Sequence, residues 1–163
     1  MSQSLVKSPA LHTLAIAVLL LAGCAAQREH RDGLDFAAQG KAEQALSSLR
    51  RANELEPENV RYKLDYVMQR NVAIRNLVER GDDERKLLQF DAASQHYREA
   101  LKIEPGNERA SRGLKTVEVE RRAQVQLAAA ERALKANQLE SARSTVRDVL
   151  MEMPQNAAAT NLA

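Results

Sequence analysis

Three short segments, Pro57-Glu58-Asn59, Pro105-Gly106-Asn107 and Pro154-Gln155-Asn156, carry the same Pro-x-Asn punctuation at intervals of 48 and 49 residues. A proline pushes the residue before it out of the helical region, and a following Gly or Asn suits a turn. Ahead of each proline the apolar residues recur at steps of three and four. They are Ala45, Leu49, Ala52 and Leu55, then Phe90, Ala93, Tyr97, Ala100, Leu101 and Ile103, then Leu139, Ala142, Val146, Val149 and Leu150. Those steps put the side chains on one face of a helix. A chain punctuated in this way uses one helical unit three times, and each unit buries its apolar face against a neighbour. No segment shows the two-residue alternation of a strand.

The aligned residues resemble the tetratricopeptide repeat, a helix-turn-helix unit. The first unit supplies Gly33, Phe36, Gly40, Ala45, Leu49, Ala52 and Pro57; the second Gly81, Phe90, Ala93, Tyr97, Ala100 and Pro105, with Leu88 in place of the turn glycine. The third supplies Ala130, Asn137, Leu139, Ala142, Val146, Val149 and Pro154. The resemblance implies an all-α, tetratricopeptide-like helical solenoid of three antiparallel helix pairs. Its units fall at about 25–59, 60–107 and 108–156, followed by a stub, and Ala45, Ala93 and Ala142 lie where paired helices come closest.

The family's units run to about 34 residues, and the intervals here are longer. The surplus lies between Asn59 and about Ile74 and between Asn107 and about Ala123, without the Pro and clustered Gly of a loop. Tyr62, Leu64, Tyr66, Val67, Ile74, Leu77 and Val78 keep a helical spacing, as do Leu114, Val117, Val125 and Leu127. We read both stretches as extensions of the first helices of units two and three, to roughly 27 residues and 40 Å, packed together in coiled-coil fashion. Gly113 weakens such a helix by about 1 kcal/mol relative to alanine, so a break near Gly113 or Gly81 is the alternative. After Asn156 the repeat calls for another long helix, and Ala157 to Ala163 is too short to cover Leu139, Val146 and Leu150 unaided.

A different constraint sits at the amino end. An apolar run of nine residues, Leu14 to Ala22, follows a polar start carrying Lys7 and leads into Gly23 and the only cysteine, Cys24. Nine residues are too few for a membrane-spanning helix, which takes about 20, but match the core of a secretory signal ending in small residues. Leu21-Ala22-Gly23-Cys24 resembles the lipobox of bacterial lipoproteins. That resemblance implies a lipoprotein signal peptide over residues 1–23, cleavage between Gly23 and Cys24, and lipidation of Cys24, which begins the mature 24–163 repeat domain. Ala25 rather than an aspartate after the cysteine implies the outer membrane. The other reading is an ordinary secretory signal with a cysteine near the cut.

The formal net charge is +2, with 24 basic and 22 acidic residues interspersed throughout, so nucleic acid is not an expected partner. A lone cysteine allows no internal disulfide. No constellation points to catalysis or to a cofactor or metal. His12 lies in the segment to be removed, His30 near the anchor, and His96 beside Tyr97 on the face opposite the apolar stripe, where it reads as solvated. Asp82-Asp83-Glu84 fans around a helix and reads as a turn or first-turn charge, and Ser47-Ser48 has no activating partner in any recognisable motif. The chain is therefore expected to be a non-enzyme.

Function is then expected on surfaces. By the tetratricopeptide resemblance the groove is lined by the first helix of each unit, here Arg75, Glu79, Asp82 and Lys86, which share one face and also fit two opposite-charge pairs within the helix. The lipobox, the stretch Cys24 to Leu34, the repeat and Arg61-Tyr62 resemble the amino-terminal region of lipoprotein secretins of type II secretion and type IV pili. This implies an outer-membrane lipid anchor facing the periplasm and protein partners from a secretin machine; the uncovered end of the last repeat is expected to bind the continuation of the polypeptide, as the resemblance implies, or else a partner or a second copy. No secretin domain is present in the chain. A piece of such a protein and a free-standing, pilotin-like adaptor lipoprotein are both open.

Overall fold

The computed structural model describes the backbone from residue 9 to residue 163 and side chains from Gly23 onward. Lys7 and the side chains of the apolar run lie outside the described residues. The helices are α1 (Pro9–Ala38), α2 (Ala42–Leu55), α3 (Val60–Lys86), α4 (Phe90–Ile103), α5 (Glu108–Lys135), α6 (Leu139–Glu152) and α7 (Ala157–Leu162). No strand occurs among the described residues. The fold is all-α and tetratricopeptide-like, three helix-turn-helix repeats and a short final helix. α3 and α5 are unbroken over 27 and 28 residues, so neither Gly81 nor Gly113 interrupts them. α1 passes through Gly23 and Cys24 without interruption, in keeping with the many Leu and Ala residues on its amino-terminal side.

Each Pro-x-Asn segment ends one helix and starts the next. Glu56, Glu104 and Met153, each just before a proline, leave the helix at φ/ψ of −131/75, −139/91 and −134/79°, as the clash with the proline ring requires. The asparagine two residues beyond the proline then caps the following helix. Asn107 Oδ1 accepts from the Ala110 amide at 2.9 Å, Asn156 Oδ1 from Ala159 at 2.9 Å, and Asn59 Oδ1 from Tyr62 at 3.3 Å. The turn inside each repeat depends on one left-handed residue, Gly40 (φ 72°), Leu88 (φ 60°) or Asn137 (φ 61°). Glycine and asparagine adopt that conformation readily, while a leucine there is strained by roughly 1–2 kcal/mol.

The chain divides into two compact units, Met1–Asn76 and Leu77–Ala163, with the boundary inside α3. In the first, α1 packs on α2, Ala26, Ala52 and Tyr62 form a buried cluster, and Ala45 and Leu49 of α2 are also fully buried. In the second, α4 packs on α5, α5 on α6 and α6 on α7. Phe90, Ala93, Tyr97 and Ala100 are buried on α4, and Ala123, Leu127, Ala130, Val146, Val149 and Ala159 form a further cluster. The buried positions of α5, namely Ala110, Val117, Ala123, Leu127 and Ala130, are spaced seven, six, four and three apart. They serve the short helices on either side and do not form a heptad seam.

Four apolar residues assigned to buried stripes are exposed: Leu55, Leu64, Val125 and Leu139. Leu55 and Leu139 are the last and first residues of their helices, where no neighbouring turn covers them. Leu64 lies two residues from Tyr62, and Val125 two from both Ala123 and Leu127, about 200° round the helix from buried neighbours. α7 covers more than its length predicts. Ala159 is buried and Leu162 packs with Val146, Val149 and Leu150, so the short helix is held by its Asn156 cap and by packing rather than by propensity.

Where paired helices approach, a small residue on one faces a larger one on the other. A Cβ added at Gly33 would lie 2.7 Å from Leu49 Cγ, one at Gly81 would lie 2.8 Å from Tyr97 Cε1, and one at Gly113 would collide with the same Tyr97 ring atom. Both glycines of the long helices thus make room for one ring. Gly113→Ala should destabilise the protein, because overpacking of about 1–3 kcal/mol exceeds the roughly 1 kcal/mol of added helix propensity. In a Tyr97→Val background the same change should stabilise, since only the propensity remains. Thermal denaturation of the four proteins of this cycle checks it, and a substitution effect of the same sign in both backgrounds would contradict the packing described.

Candidate functional site

Of the four groove candidates on α3, Arg75, Glu79 and Lys86 are exposed and Asp82 is partly buried. The pairing read from spacing does not occur for Asp82 and Lys86. Asp82 Oδ1 accepts from the Tyr97 hydroxyl at 2.6 Å and Asp82 Oδ2 from Arg109 Nη2 at 2.7 Å, while Lys86 Nζ donates to Asp83 Oδ1 at 2.8 Å. A pair four residues apart on a helix contributes only about 0.2–0.5 kcal/mol. A buried phenol requires an acceptor, and Tyr97 is fully buried, so it takes Asp82. Beside this pair Arg85 Nη1 donates to Glu120 Oε1 at 2.7 Å.

Asp82, Asp83 and Glu84 lie in the last turns of α3, not in a turn or a first turn. Carboxylates there oppose the helix dipole, and the neighbouring cations offset this. Burial acts to raise the Asp82 pKa, but the hydrogen bonds from Tyr97 and Arg109 and the charges of Arg109 and Arg85 outweigh it, leaving it below the usual carboxylate range. Burial, the hydrogen bond to Asp82 and its charge push the Tyr97 phenol up to about 12. Arg85 is partly buried, which acts to lower its pKa, yet Glu120 and Tyr97 hold it above the ordinary value. Arg109 is raised through its hydrogen bond to Asp82. These groups therefore keep one charge state across the physiological range and act as a lock between α3, α4 and α5.

His96 is not a solvated histidine. Its ring is mostly buried, with Nε2 3.4 Å from Glu84 Oε1 and Nδ1 3.6 Å from Glu99 Oε2. The turn before α4 folds the end of α3 back over this face, which helical periodicity within α4 alone does not reveal.

The surroundings of Cys24 form a second candidate site. Cys24 is exposed and its thiol is free. It lines a cleft of about 690 Å³ together with Arg28, Arg31, His30, Arg61 and Tyr62. His30 is buried, stacks on Tyr62 with ring centroids 4.5 Å apart, and its Nε2 lies 2.7 Å from Asp65 Oδ2. Reading the sequence missed this, since His30 and Asp65 meet only once α3 folds beside α1. Arg28 and Arg31, four and seven residues after Cys24, share its helical face and were findable by spacing. Among the described residues no group of three or more His, Cys, Asp or Glu is placed to hold a metal, and no helix is long and apolar enough to cross a membrane.

The repeat-packing residues divide by role. Ala45, Leu49, Ala52, Phe90, Ala93, Tyr97, Ala100, Ala142 and Val146 are buried, and so is Gly33, whereas Phe36 is partly buried and Pro57, Pro105 and Pro154 are exposed helix stops. The Tyr97 lock has a signature in alkali. The phenol ionises near 10 in an unfolded chain and near 12 in the fold, so the folded protein holds that proton more tightly. The stability this contributes is full below pH about 10 and is lost as pH rises through about 12. The advantage of wild type over Tyr97→Phe in chemical denaturation should therefore shrink steadily above pH 10. An advantage that is constant between pH 8 and 12 would contradict the bond to Asp82.

No family model matches the chain, and no curated protein matches it in sequence. Among solved structures it is similar to a TPR domain of OM64 from Arabidopsis, at 16% identity and a TM-score of 0.29, over 86% of this chain and 93% of that one. At that score the likeness adds nothing to the helix order and packing described above.

Proposed function

We propose that this chain is an outer-membrane lipoprotein, anchored through Cys24 and facing the periplasm, whose repeats serve as a protein-interaction scaffold in a secretion or pilus machine built around a secretin. The observation that carries this reading is the position of Cys24. It is exposed, follows the apolar run and Gly23, and precedes by two residues the fully buried Ala26. Acyl chains on its sulfur and amino group would thus hold the repeat domain to the membrane with almost no linker. A single acyl chain gives only marginal binding, and the several chains of a lipobox-type cysteine meet the requirement for a stable anchor.

The partner-binding part of the reading rests on the repeats themselves, on the exposed Arg75, Glu79 and Lys86 along α3, and on the absence of any constellation for catalysis in the sequence. A second reading, a pilotin-like adaptor that escorts an envelope complex, is favoured by α6. Part of its apolar face, Val146 and Val149, is covered by Ala159 and Leu162 of α7, while Leu139 and Met151 stay exposed and offer a surface to a partner.

Cys24→Ser should abolish labelling by radioactive palmitate and release the protein from membranes washed in high salt, which screens charge contacts with headgroups. Undiminished labelling of the variant would overturn the anchor. Labelling at Cys24 together with crosslinking that recovers no secretin component would leave the anchor standing and overturn the assignment to that machine.

A further inference from the structure

We propose that the cleft beside Cys24 binds the phosphate of an anionic phospholipid headgroup, so that the protein grips the membrane surface at the point where it is anchored. The inference rests on the reading of Cys24 as the lipid anchor, and its evidence is the make-up of the cleft. At about 690 Å³ it falls within the range of small-molecule sites, roughly 300–1,000 Å³. Its lining includes Arg28, Arg31 and Arg61 and the amide of Gln27, and no carboxylate; the Asn59 amide in the same wall already donates to Glu56 Oε2 at 2.9 Å. The arginines and Gln27 donate hydrogen bonds, and an arginine fork matches phosphate oxygens two at a time.

The acids nearest these arginines do not use up that capacity. Arg28 and Arg31 approach Asp32 at 3.7 and 4.0 Å, and Arg61 approaches Asp65 at 3.8 Å. Those separations are ion pairs longer than hydrogen bonds, which run to about 3.2 Å. Asp65 instead accepts from His30 at 2.7 Å, and neither aspartate lines the cleft. The three guanidinium groups are also well exposed, at 78, 74 and 77% of their side-chain surface, so they reach a ligand without rearranging the core.

Cys24 decides which phosphate. It lies in the wall of the same cleft, so acyl chains attached there leave the protein at the cleft and bring the headgroup layer to the arginines. A free phosphate ion would find the same donors but no such delivery. The stacked pair His30 and Tyr62 also lines the cleft and joins α1, which carries Arg28 and Arg31, to the start of α3, which carries Arg61.

The test separates the headgroup from the acyl chains by using the full chain with Cys24→Ser, which cannot be lipidated. Each arginine near an anionic membrane contributes roughly fivefold in partitioning, so this protein should float with phosphatidylglycerol vesicles at least tenfold better than with phosphatidylcholine vesicles. Replacing Arg28, Arg31 and Arg61 together by Gln should remove that preference, while replacing Arg112, Arg132 and Arg143 should leave most of it; circular dichroism melts establish that both variants are folded. Glycerol phosphate at millimolar concentration should compete with the vesicles. The proposal is overturned if the two triple variants lose binding equally, since net charge alone then accounts for it. It is also overturned if inorganic phosphate binds saturably while phosphatidylglycerol vesicles do not, which would make the cleft a site for soluble anions. Palmitate labelling of the unsubstituted protein reports on the anchor independently of all these outcomes.

Discussion

How closely two helices may approach governs this fold. Gly33 faces Leu49, Gly81 and Gly113 face Tyr97, and Ala130 shares a buried cluster with Val146. Gly33, Gly81 and Ala130 sit at equivalent places in the repeat, 48 and 49 residues apart, with glycine where the counterpart is leucine or tyrosine and alanine where it is valine. Glycine inside a helix is unfavourable by about 1 kcal/mol against alanine, yet α3 and α5 carry glycine without breaking because the Tyr97 ring occupies the space a Cβ would need. A tight contact between helices thus outweighs a local preference within each.

The polar chemistry follows from that contact. An aromatic ring wedged between helices brings a hydroxyl with it, and a buried hydroxyl without a partner would cost about 1–3 kcal/mol. Asp82 supplies the acceptor, and Arg109 then neutralises Asp82. The first repeat has leucine in place of the tyrosine and no such lock. Its buried polar pair lies elsewhere, where His30 meets Asp65 and stacks on Tyr62. One helical scaffold therefore carries two different polar arrangements, one binding α3 to its neighbours in the second unit and one forming the wall of an arginine-lined cleft in the first.

The turns show the same interplay. Gly40, Leu88 and Asn137 occupy equivalent places and all adopt positive φ, although only the first and last are residues that favour it. Leu88 is also 61% exposed, so its side chain gains little from packing. The conformation is imposed by the helices on either side, whose buried faces must meet. At Pro57, Pro105 and Pro154 the demand is local instead, and the chain meets it with a residue that cannot continue a helix and an asparagine that starts another.

The amino-acid sequence by itself determined the order of the helices and where the Pro-x-Asn segments divide them, because those depend on short-range terms: apolar residues at steps of three and four, prolines that forbid the preceding helical residue, asparagines that cap the next. It determined as well that Cys24 stands alone behind an apolar run. That α3 and α5 run unbroken through Gly81 and Gly113 was decided by the Tyr97 ring packed against both. Only the tertiary structure decided which charged groups pair, since a contact within one helix contributes a few tenths of a kcal/mol and is readily displaced by a better partner on another. Asp82 therefore joins Tyr97 and Arg109 rather than Lys86, His96 turns toward Glu84, and His30 finds Asp65 35 residues away. Burial at helix ends was decided in the same way: Leu55 and Leu139 carry the right residue type at the right period, yet no neighbouring turn covers them.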